Sequence, residues 1–263
     1  MRYFCDNCGT VSSGDIGRDR LCRVMGMDRD YFMGEVESMR YSAANEPGFS
    51  DAFMKEYGTD YEHSLELAAM LAGNRVPREE VVKAGLQSSN SVRKGFYDFI
   101  KHSDRQGDSI SIVTAAPRDF AGPFWRKYSD SLAVIGTRMS ADDEDRYCGI
   151  ALPCGGKSKA GIIRPYVNDS HAVAVGDTKG DQGMIDVVRE AGGLGIAFGR
   201  DVDADVVLHP GASWKEAWAA GEMYAEMAGE RRAVLPLYDV SAMEASSPLG
   251  ERVIRKLKWQ DSL

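Results

Sequence analysis

Strand-like and helix-like segments alternate along the chain after Ser91, and this alternation constrains the fold more than any other feature. Residues 109–113, for example, form a short run with β-branched residues, and segments with apolar residues at helical spacing lie on either side of it. Strands that alternate with helices favour parallel βαβ units, in which helices cover both faces of one sheet. The sequence therefore predicts an α/β fold with a parallel sheet.

The predicted elements can be placed along the chain from these periods. They are strands over 2–5, 109–113, 132–136, 171–175, 194–198 and 205–208, and helices over 91–103, 118–129, 180–191 and 213–228. Residues 140–157 have no clear period, and a helix that begins near Ser158 meets Pro165, which cannot continue it. The tail after Gly229 is less regular, although 251–259 predicts one basic helix packed on the core.

Residues 15–90 interrupt the alternation with a helical pattern. Apolar residues stand at helical spacing in five segments, 15–26, 28–44, 49–57, 60–73 and 77–86. Pro77 followed by two glutamates is typical of a helix N-terminus with acids in its first turn. The block is predicted to be an all-helical insertion, which leaves 1–14 and 91–229 as the core and 230–263 as a C-terminal extension.

Length and charge exclude several classes of protein. The 263 residues suffice for one large domain, or for a core with a smaller inserted module. Forty acidic residues against 32 basic ones give a net charge of -8, which is unfavourable for nonspecific nucleic-acid binding. No run reaches the roughly 18 apolar residues of a membrane span, and the early charges do not fit a secretion signal. We expect a cytoplasmic protein without nucleic-acid or membrane partners; the oligomeric state is not predicted.

The five cysteines allow two interpretations. They are Cys5, Cys8, Cys22, Cys148 and Cys154, an odd number that favours reduced thiols over a disulfide framework. The Cys5-x-x-Cys8 pair also has the residue types of a zinc or redox site, and Cys148 and Cys154 could complete a set of four thiolates. The five-residue spacing from Cys148 to Cys154 is wide for a zinc knuckle, and Cys5 lies in a predicted strand. We therefore favour cysteines that pack as small apolar side chains.

Groups suited to metal and phosphate chemistry follow three of the predicted strands. They are Asp6, Thr114, and the pair Asp177 and Asp181. Ligands in open α/β sheets bind at the carboxyl ends of the strands, so these groups are expected at one edge. Three carboxylates there need a cation, most simply Mg²⁺, and a hydroxyl with a nearby lysine suits a phosphate. Each residue alone also fits a turn or strand-end cap, but the ordered set favours a site.

The order of these motifs resembles the haloacid dehalogenase (HAD) superfamily. The motifs are Asp-x-x-x-Thr after the first strand, a Thr after the second, a Lys, and then Gly-Asp-x-x-x-Asp. Residues 175–198 are most similar to the phosphoserine phosphatase branch, whose cap corresponds to the helical insertion. The chain also resembles an archaeal subgroup of predicted HAD phosphatases. The resemblance covers most of 1–210 and implies a Rossmannoid core with an inserted helical cap.

The resemblance implies a metal site and a nucleophile. Asp6 would attack phosphorus and form an aspartyl phosphate. Its carboxylate, the backbone carbonyl of Cys8 and Asp177 would ligate Mg²⁺. Asp181 would belong to the same metal site and orient a water molecule.

The resemblance also implies contacts to the phosphoryl group. Thr114 and the amide of Ala115 would bind phosphoryl oxygens, while a lysine would neutralise the transition state. Lys159 fits best because 159–163 resemble the start of the family's helix, and Lys157 is the alternative. Arg118 follows the second motif and is a candidate substrate contact, although a solvated helix N-terminus is an equal alternative.

Cys8 departs from the family pattern. HAD phosphatases have a second aspartate at this position, which protonates the leaving group and then activates water; such a group contributes roughly 10²–10⁴ in rate. A thiol has a pKa roughly 4 units above that of a carboxylic acid and is a weak hydrogen-bond donor. Asp15 is a candidate replacement acid.

Three outcomes follow for activity. The first is an enzyme for acyl phosphates or phosphoanhydrides, whose leaving groups need no proton. The second is a long-lived aspartyl phosphate, or cleavage of phosphonates or C–halogen bonds. The third is a protein that binds metal and phosphate without catalysis, in a regulatory or assembly role. We expect a Mg²⁺-dependent phosphohydrolase or phosphotransferase for a small phosphorylated metabolite, weak on ordinary phosphomonoesters, with the third outcome as the alternative.

Overall fold

One eight-stranded sheet forms the frame of the protein. The computed structural model describes residues 1–12, 17–28, 30–31, 34, 63–89, 92–167, 171–229 and 240–261. The strands are β1 (Arg2–Asp6), β2 (Ser109–Pro117), β3 (Ala133–Ala141), β4 (Tyr147–Leu152), β5 (Ala172–Gly176), β6 (Leu194–Phe198), β7 (Val206–Leu208) and β8 (Met243–Ala245). Their order is β4-β3-β2-β1-β5-β6-β7-β8. The six inner strands run parallel, whereas β4 and β8 pair antiparallel at the two edges. The predicted α/β fold is confirmed.

Helices connect the parallel strands and flank the sheet. The described helices are α1 (Arg18–Val24), α2 (His63–Gly73), α3 (Arg78–Gln87), α4 (Phe96–Gln106), α5 (Arg118–Arg126), α6 (Lys157–Ile163), α7 (Gln182–Glu190), α8 (Trp214–Met227) and α9 (Pro248–Asp261). Short 3₁₀ turns occupy Arg164–Tyr166, Lys179–Asp181 and Val240–Ala242. Among the residues that the structure describes, no helix has both the length and the hydropathy of a membrane span.

The central strands send alternate side chains into two cores. Tyr3 of β1 packs with Phe99 of α4, at 4.8 Å between ring centroids, in a cluster that also holds Trp214 of α8. Phe4, the next residue of β1, enters a second cluster with Met184 of α7. Successive strand residues point to opposite faces, so both faces of the sheet are buried. Packing on both faces holds β1 in the middle of the sheet and therefore also holds its carboxyl end, where Asp6 lies.

Both edge strands were missed by the sequence analysis. β4 lies in the segment without a clear period and forms a hairpin with β3, in which Ala141 pairs with Tyr147. Of the β4 residues only Tyr147 is buried, so the apolar alternation that marks a half-buried strand is absent. β8 is three residues long, with one buried side chain, Met243, and pairs with β7. Edge strands with so few buried positions leave little trace in the sequence.

Parts of the predicted insertion lie directly on the core. Leu71 of α2 and Val81 of α3 belong to the same buried cluster as Phe120 of α5. At Gly85 an added Cβ would lie 2.3 Å from the carbonyl oxygen of Phe120, so α3 and α5 are in close contact. Asp15 and most of 29–62 lie outside the described residues, and the boundaries of the predicted cap stay a prediction. The basic helix expected at 251–259 is confirmed as α9, with Leu257 in the main core.

Candidate active site

Three carboxylates meet at the carboxyl ends of β1 and β5. Asp6, Asp177 and Asp181 each offer one oxygen, and these oxygens all lie within 4.8 Å of one another. The two strands are parallel neighbours, which brings the residues that follow them to the same edge. Asp6 and Asp181 are buried and Asp177 is partly exposed. Oxygen ligands at this spacing fit a hard divalent cation such as Mg²⁺.

Lys159 places its ammonium between two of these carboxylates. Its Nζ lies 2.8 Å from Oδ1 of Asp6 and 2.7 Å from Oδ1 of Asp181, and the side chain is 1% exposed. A buried ammonium is stable only with charged or hydrogen-bonding partners, which these oxygens provide. Three carboxylates outnumber the one ammonium between them, so the cluster still has the charge to hold a cation. Lys157, the alternative lysine, is exposed at the start of α6.

The environment of Asp177 is unfavourable for a negative charge. Burial, and then the charge of Asp181, raise the pKa of Asp177 to about 6. A hydrogen bond from Thr10 Oγ1 to Asp177 Oδ1, of 2.8 Å, and the charges of Lys159 and Arg93 oppose this shift. A bound divalent ion would reverse the balance, since opposite charge favours the ionised carboxylate.

A tight turn after β1 contains Cys8 and brings Gly9 close to the carboxylate of Asp177. The backbone carbonyl of Asn7 accepts hydrogen bonds of 3.0 Å from both the amide and the hydroxyl of Ser12, which closes the turn. Gly9 has φ +84°, and an added Cβ would lie 1.9 Å from Oδ2 of Asp177. Only glycine fits this position, because any side chain would displace the carboxylate. Cys8 lies in the same turn with a partly exposed side chain.

Asp181 shapes the loop that carries Asp177. Its Oδ2 accepts hydrogen bonds from the amides of Asp177 and Thr178, at 3.0 and 3.1 Å, and from the hydroxyl of Thr178 at 3.2 Å. Its Oδ1 accepts the bond from Lys159. At Gly176 an added Cβ would lie 2.4 Å from Cβ of Asp181, so this glycine allows the close approach. Asp181 therefore organises the turn as well as facing the cluster.

Thr114 lies at an irregularity of β2, beside the residue that follows Asp6. The pairing of β2 with β3 shifts register between Thr114 and Pro117. The hydroxyl of Thr114 accepts a hydrogen bond from the amide of Ala116 at 3.2 Å and a longer one, 3.4 Å, from Nδ2 of Asn7. Oδ1 of Asn7 in turn accepts a hydrogen bond of 3.1 Å from Nε1 of Trp125. Asn7 thus connects the turn after β1 to Thr114 and to α5.

The other two predicted substrate contacts differ in exposure. Ala115 is buried, and its carbonyl accepts a hydrogen bond of 2.7 Å from the hydroxyl of Thr137. Arg118 is exposed at the first position of α5. Their contacts to a substrate stay predictions.

The structure also shows residues that the sequence analysis missed. Asn7 and Arg93 have no motif of their own, and Thr10 was only a consensus position without an assigned role. Thr10 is fully buried and bonds directly to Asp177, while Arg93 binds the backbone of the turn after β1. The one available signal was the position of Thr10 in Asp-x-x-x-Thr.

Among the described residues, the group of side chains that could hold a metal ion contains three carboxylates and no thiol. Cys5 is fully buried, and burial, with a smaller contribution from Asp6, raises the pKa of its thiol well above the ordinary value. A thiol in this environment stays protonated and is not the thiolate that zinc prefers. Cys22 and Cys154 are buried, whereas Cys148 is exposed. These positions favour the interpretation of Cys5, Cys22 and Cys154 as apolar packing residues.

A sequence model of haloacid dehalogenase-like hydrolases matches residues 4–186, which include all the predicted site residues. The chain belongs to the haloacid dehalogenase-like hydrolase family. This confirms the predicted family and, with it, the predicted class of hydrolase. A comparison with curated protein sequences gave no match.

Solved structures share the fold of this HAD-like hydrolase at low sequence identity. A gene product of Archaeoglobus fulgidus has a TM-score of 0.65 and 19% identity, and the match covers 98% of this chain and 95% of that one. A substrate-bound phosphoserine phosphatase has a TM-score of 0.51 and 19% identity over 75% of this chain and 85% of its own. A HAD family hydrolase from Salmonella enterica subsp. enterica serovar Typhi has a TM-score of 0.52 and 17% identity over 74% of this chain. The HAD-like hydrolase spans only 60% of that protein's length.

Proposed function

We propose that this HAD-like hydrolase is a Mg²⁺-dependent phosphohydrolase or phosphotransferase that acts on a small phosphorylated metabolite. The observation that carries the proposal is the meeting of Asp6, Asp177 and Asp181 with the ammonium of Lys159. Phosphoryl transfer needs mainly positioning and neutralisation of charge, and a carboxylate nucleophile beside a lysine and a cation site supplies both. The structural similarity to a phosphoserine phosphatase agrees with this class of substrate.

The proposed chemistry begins at Asp6. Its carboxylate oxygen would attack phosphorus while the bond from phosphorus to the leaving oxygen breaks, which gives an aspartyl phosphate. Water, or an acceptor hydroxyl in a transferase, would then attack phosphorus and release the carboxylate of Asp6, and the proton of the attacking group would pass to the phosphoryl oxygens of the product. Lys159 lies 2.8 Å from Asp6 and would neutralise charge that builds on the phosphoryl group.

The remaining predicted residues would bind the ion and the phosphoryl group. Asp6, Asp177, Asp181 and the carbonyl of Cys8 would hold Mg²⁺, which when bound neutralises charge on phosphoryl oxygens. Phosphoryl oxygens would be bound by Thr114 and the amide of Ala115. The exposed side chains of Arg118 and Lys157 would contact more distant parts of the substrate.

Cys8 narrows the range of substrates in this proposal. A neutral thiol is a weak hydrogen-bond donor and a poor base for water. A leaving group that departs without a proton, such as a carboxylate or a phosphate, avoids the need for a general acid. We therefore infer that acyl phosphates and phosphoanhydrides react faster than phosphomonoesters. We place this activity in the cytoplasm, where the thiols stay reduced.

The alternative function is a protein that binds metal and phosphate without turnover, in a regulatory or assembly role. The observation that favours it is again Cys8, which stands in the turn beside Asp6 in place of the family's acid. Loss of one general acid removes about two to four orders of magnitude in rate, but leaves the cation site and the phosphate contacts in place.

Phosphate release from acetyl phosphate and from para-nitrophenyl phosphate, with and without Mg²⁺, separates the two functions. We expect Mg²⁺-dependent release, faster from acetyl phosphate, which Asp6→Asn abolishes. The matched control Asp130→Asn, at an exposed carboxylate outside the cluster, should preserve it. Wild-type protein inert toward both compounds, together with turnover by Cys8→Asp, would establish the binding function instead. Full activity of Asp6→Asn would show that Asp6 is not the nucleophile.

A further inference from the structure

Arg93 connects two loops at the carboxyl ends of the sheet. Its Nε donates a hydrogen bond of 2.7 Å to the carbonyl of Thr10, and Nη2 donates to the carbonyl of Gly9. On the other side, Nη1 donates to the carbonyls of Pro210 and Ala212, at 2.8 and 2.7 Å. One guanidinium therefore joins the turn after β1 to the loop between β7 and α8.

Arg93 itself is held in place from both ends. Its backbone amide donates a hydrogen bond of 2.9 Å to the carbonyl of Val11, and Ser12 and Val92 form an antiparallel bridge beside it. Its guanidinium lies 3.9 Å from the centroid of the Phe198 ring at the end of β6. A planar group with five fixed donors can stack on a ring and serve four carbonyls at once, which an ammonium cannot do.

Two of the four carbonyls that Arg93 binds belong to Gly9 and Thr10, the residues of the turn that lie against Asp177. Gly9 allows the backbone to approach Oδ2 of Asp177, and Thr10 donates its hydroxyl hydrogen bond to Oδ1. Cys8, whose carbonyl is a proposed ligand of the ion, precedes them in the same turn. A displacement of this turn would move the carbonyl of Cys8 and, at the same time, change the contacts of the Asp177 carboxylate.

We propose that Arg93 is a positioning residue for the cation site: it fixes the turn of Cys8, Gly9 and Thr10 against Asp177 and so sets the affinity for Mg²⁺. The inference rests on the proposed function, because it requires that the carboxylate cluster binds a divalent ion. It concerns affinity for the ion and gives Arg93 no contact with the reacting atoms.

The direction in which Mg²⁺ affinity changes when Arg93 is replaced distinguishes a positioning role from a purely electrostatic one. The positive charge of Arg93 acts on Asp177 and repels a cation placed beside it. If Arg93 acted only through its charge, its removal would strengthen Mg²⁺ binding, and replacement by lysine would leave binding unchanged. If Arg93 positions the turn, both replacements weaken binding, since lysine keeps the charge but cannot connect the two loops.

Titration calorimetry of Mg²⁺ into the metal-free, full-length protein tests this. We expect Arg93→Met and Arg93→Lys each to raise the Mg²⁺ dissociation constant by about 10–100-fold, the usual cost of losing a group that orients metal ligands. Arg78→Met is the matched control, because Arg78 pairs with Asp119 at 3.0 Å on the α3–α5 flank, and it should bind like wild type. Unchanged or tighter binding by both Arg93 variants overturns the proposal. A wild-type protein that binds no Mg²⁺ refutes the proposed function, and the inference with it.

Hydrogen exchange of the metal-free proteins gives a second readout that does not depend on the ion. We expect faster amide exchange in Arg93→Lys at 8–12 and 209–213, the two segments that Arg93 joins, with β5 and α7 unchanged. If Arg93→Met does not fold, Arg93→Lys still provides both measurements. Exchange in Arg93→Lys that equals wild type in both segments would show that Arg93 does not hold the turn.

Discussion

The ammonium of Lys159 lies 2.8 Å from Oδ1 of Asp6, although 153 positions separate the two residues in the chain. The same ammonium lies 2.7 Å from Oδ1 of Asp181. The lysine therefore holds together two carboxylates that would otherwise repel each other in a buried environment. This arrangement connects the stability of the metal-free protein to the groups proposed for catalysis.

Replacement of Lys159 by methionine should destabilise the metal-free protein and abolish phosphate release. Loss of one partner of a buried ion pair costs about 3–5 kcal/mol, because the remaining charges lose their compensation. Mg²⁺ should recover more stability in the variant than in wild type, since a cation replaces the lost charge. Urea unfolding with and without Mg²⁺ measures this, with the exposed Lys157→Met as control. Equal destabilisation by both variants would contradict the prediction.

Replacement of Gly9 by alanine should disrupt the cation site beyond the cost of backbone strain. The left-handed backbone of Gly9 costs an L-residue roughly 1–2 kcal/mol, and the added Cβ would also overlap the carboxylate of Asp177. Gly107 is a matched control, because its φ is +73° but an added Cβ meets nothing within 4 Å. Both variants should lose thermal stability, whereas only Gly9→Ala should lose Mg²⁺ binding by calorimetry. Wild-type Mg²⁺ affinity in Gly9→Ala would exclude the close contact with Asp177.

The contribution of Asp177 to the stability of the metal-free protein should fall as the pH rises from about 4 to 6. The pKa of Asp177 is raised to about 6, mainly by burial, so across this window the folded state binds more protons than the unfolded state. This contribution of Asp177 is present below the ordinary carboxylate pKa and is lost as the pH rises through the raised value. In urea unfolding with a chelator present, the free energy of unfolding of Asp177→Asn should decrease less over this pH range than that of wild type, or increase more. Identical pH profiles for the two proteins would rule out a raised pKa at this residue.

Removal of the Thr10 hydroxyl should shift the pH dependence of Mg²⁺ binding upward. The hydrogen bond from Thr10 stabilises ionised Asp177, and its loss in Thr10→Val should raise the pKa of Asp177 further. Protons then compete with Mg²⁺ at a higher pH. Thr10→Ser keeps a hydroxyl and should behave like wild type when Mg²⁺ binding is measured across pH 5 to 8. If the midpoint pH of Mg²⁺ binding is the same in all three proteins, this role of Thr10 is contradicted.

Sequence patterns predicted the inner strands and the meeting of Asp6, Asp177 and Asp181 because both follow from periodicity and parallel topology. Between Lys157 and Lys159, the family resemblance favoured Lys159, and the structure brings its ammonium to Asp6 and Asp181. Residues two apart on a helix point about 200° away from each other, so the two lysines differ in surroundings, but the helical period alone does not show which one faces the cluster. The role of Arg93 was invisible for another reason: its partners are backbone carbonyls, which every residue carries.

The order of the strands also determines when the carboxylates can assemble as the protein is synthesised. Arg2 of β1 pairs with Ser109 of β2 and with Ala172 of β5, so β1 has neighbours on both sides only when both later segments exist. A nascent chain that still lacks Asp177 and Asp181 has no complete cation pocket, whatever the concentration of Mg²⁺ in the cell. The proposed ion would therefore stabilise only chains whose translation has passed Asp181, and it would not guide the earlier folding of the polypeptide on the ribosome.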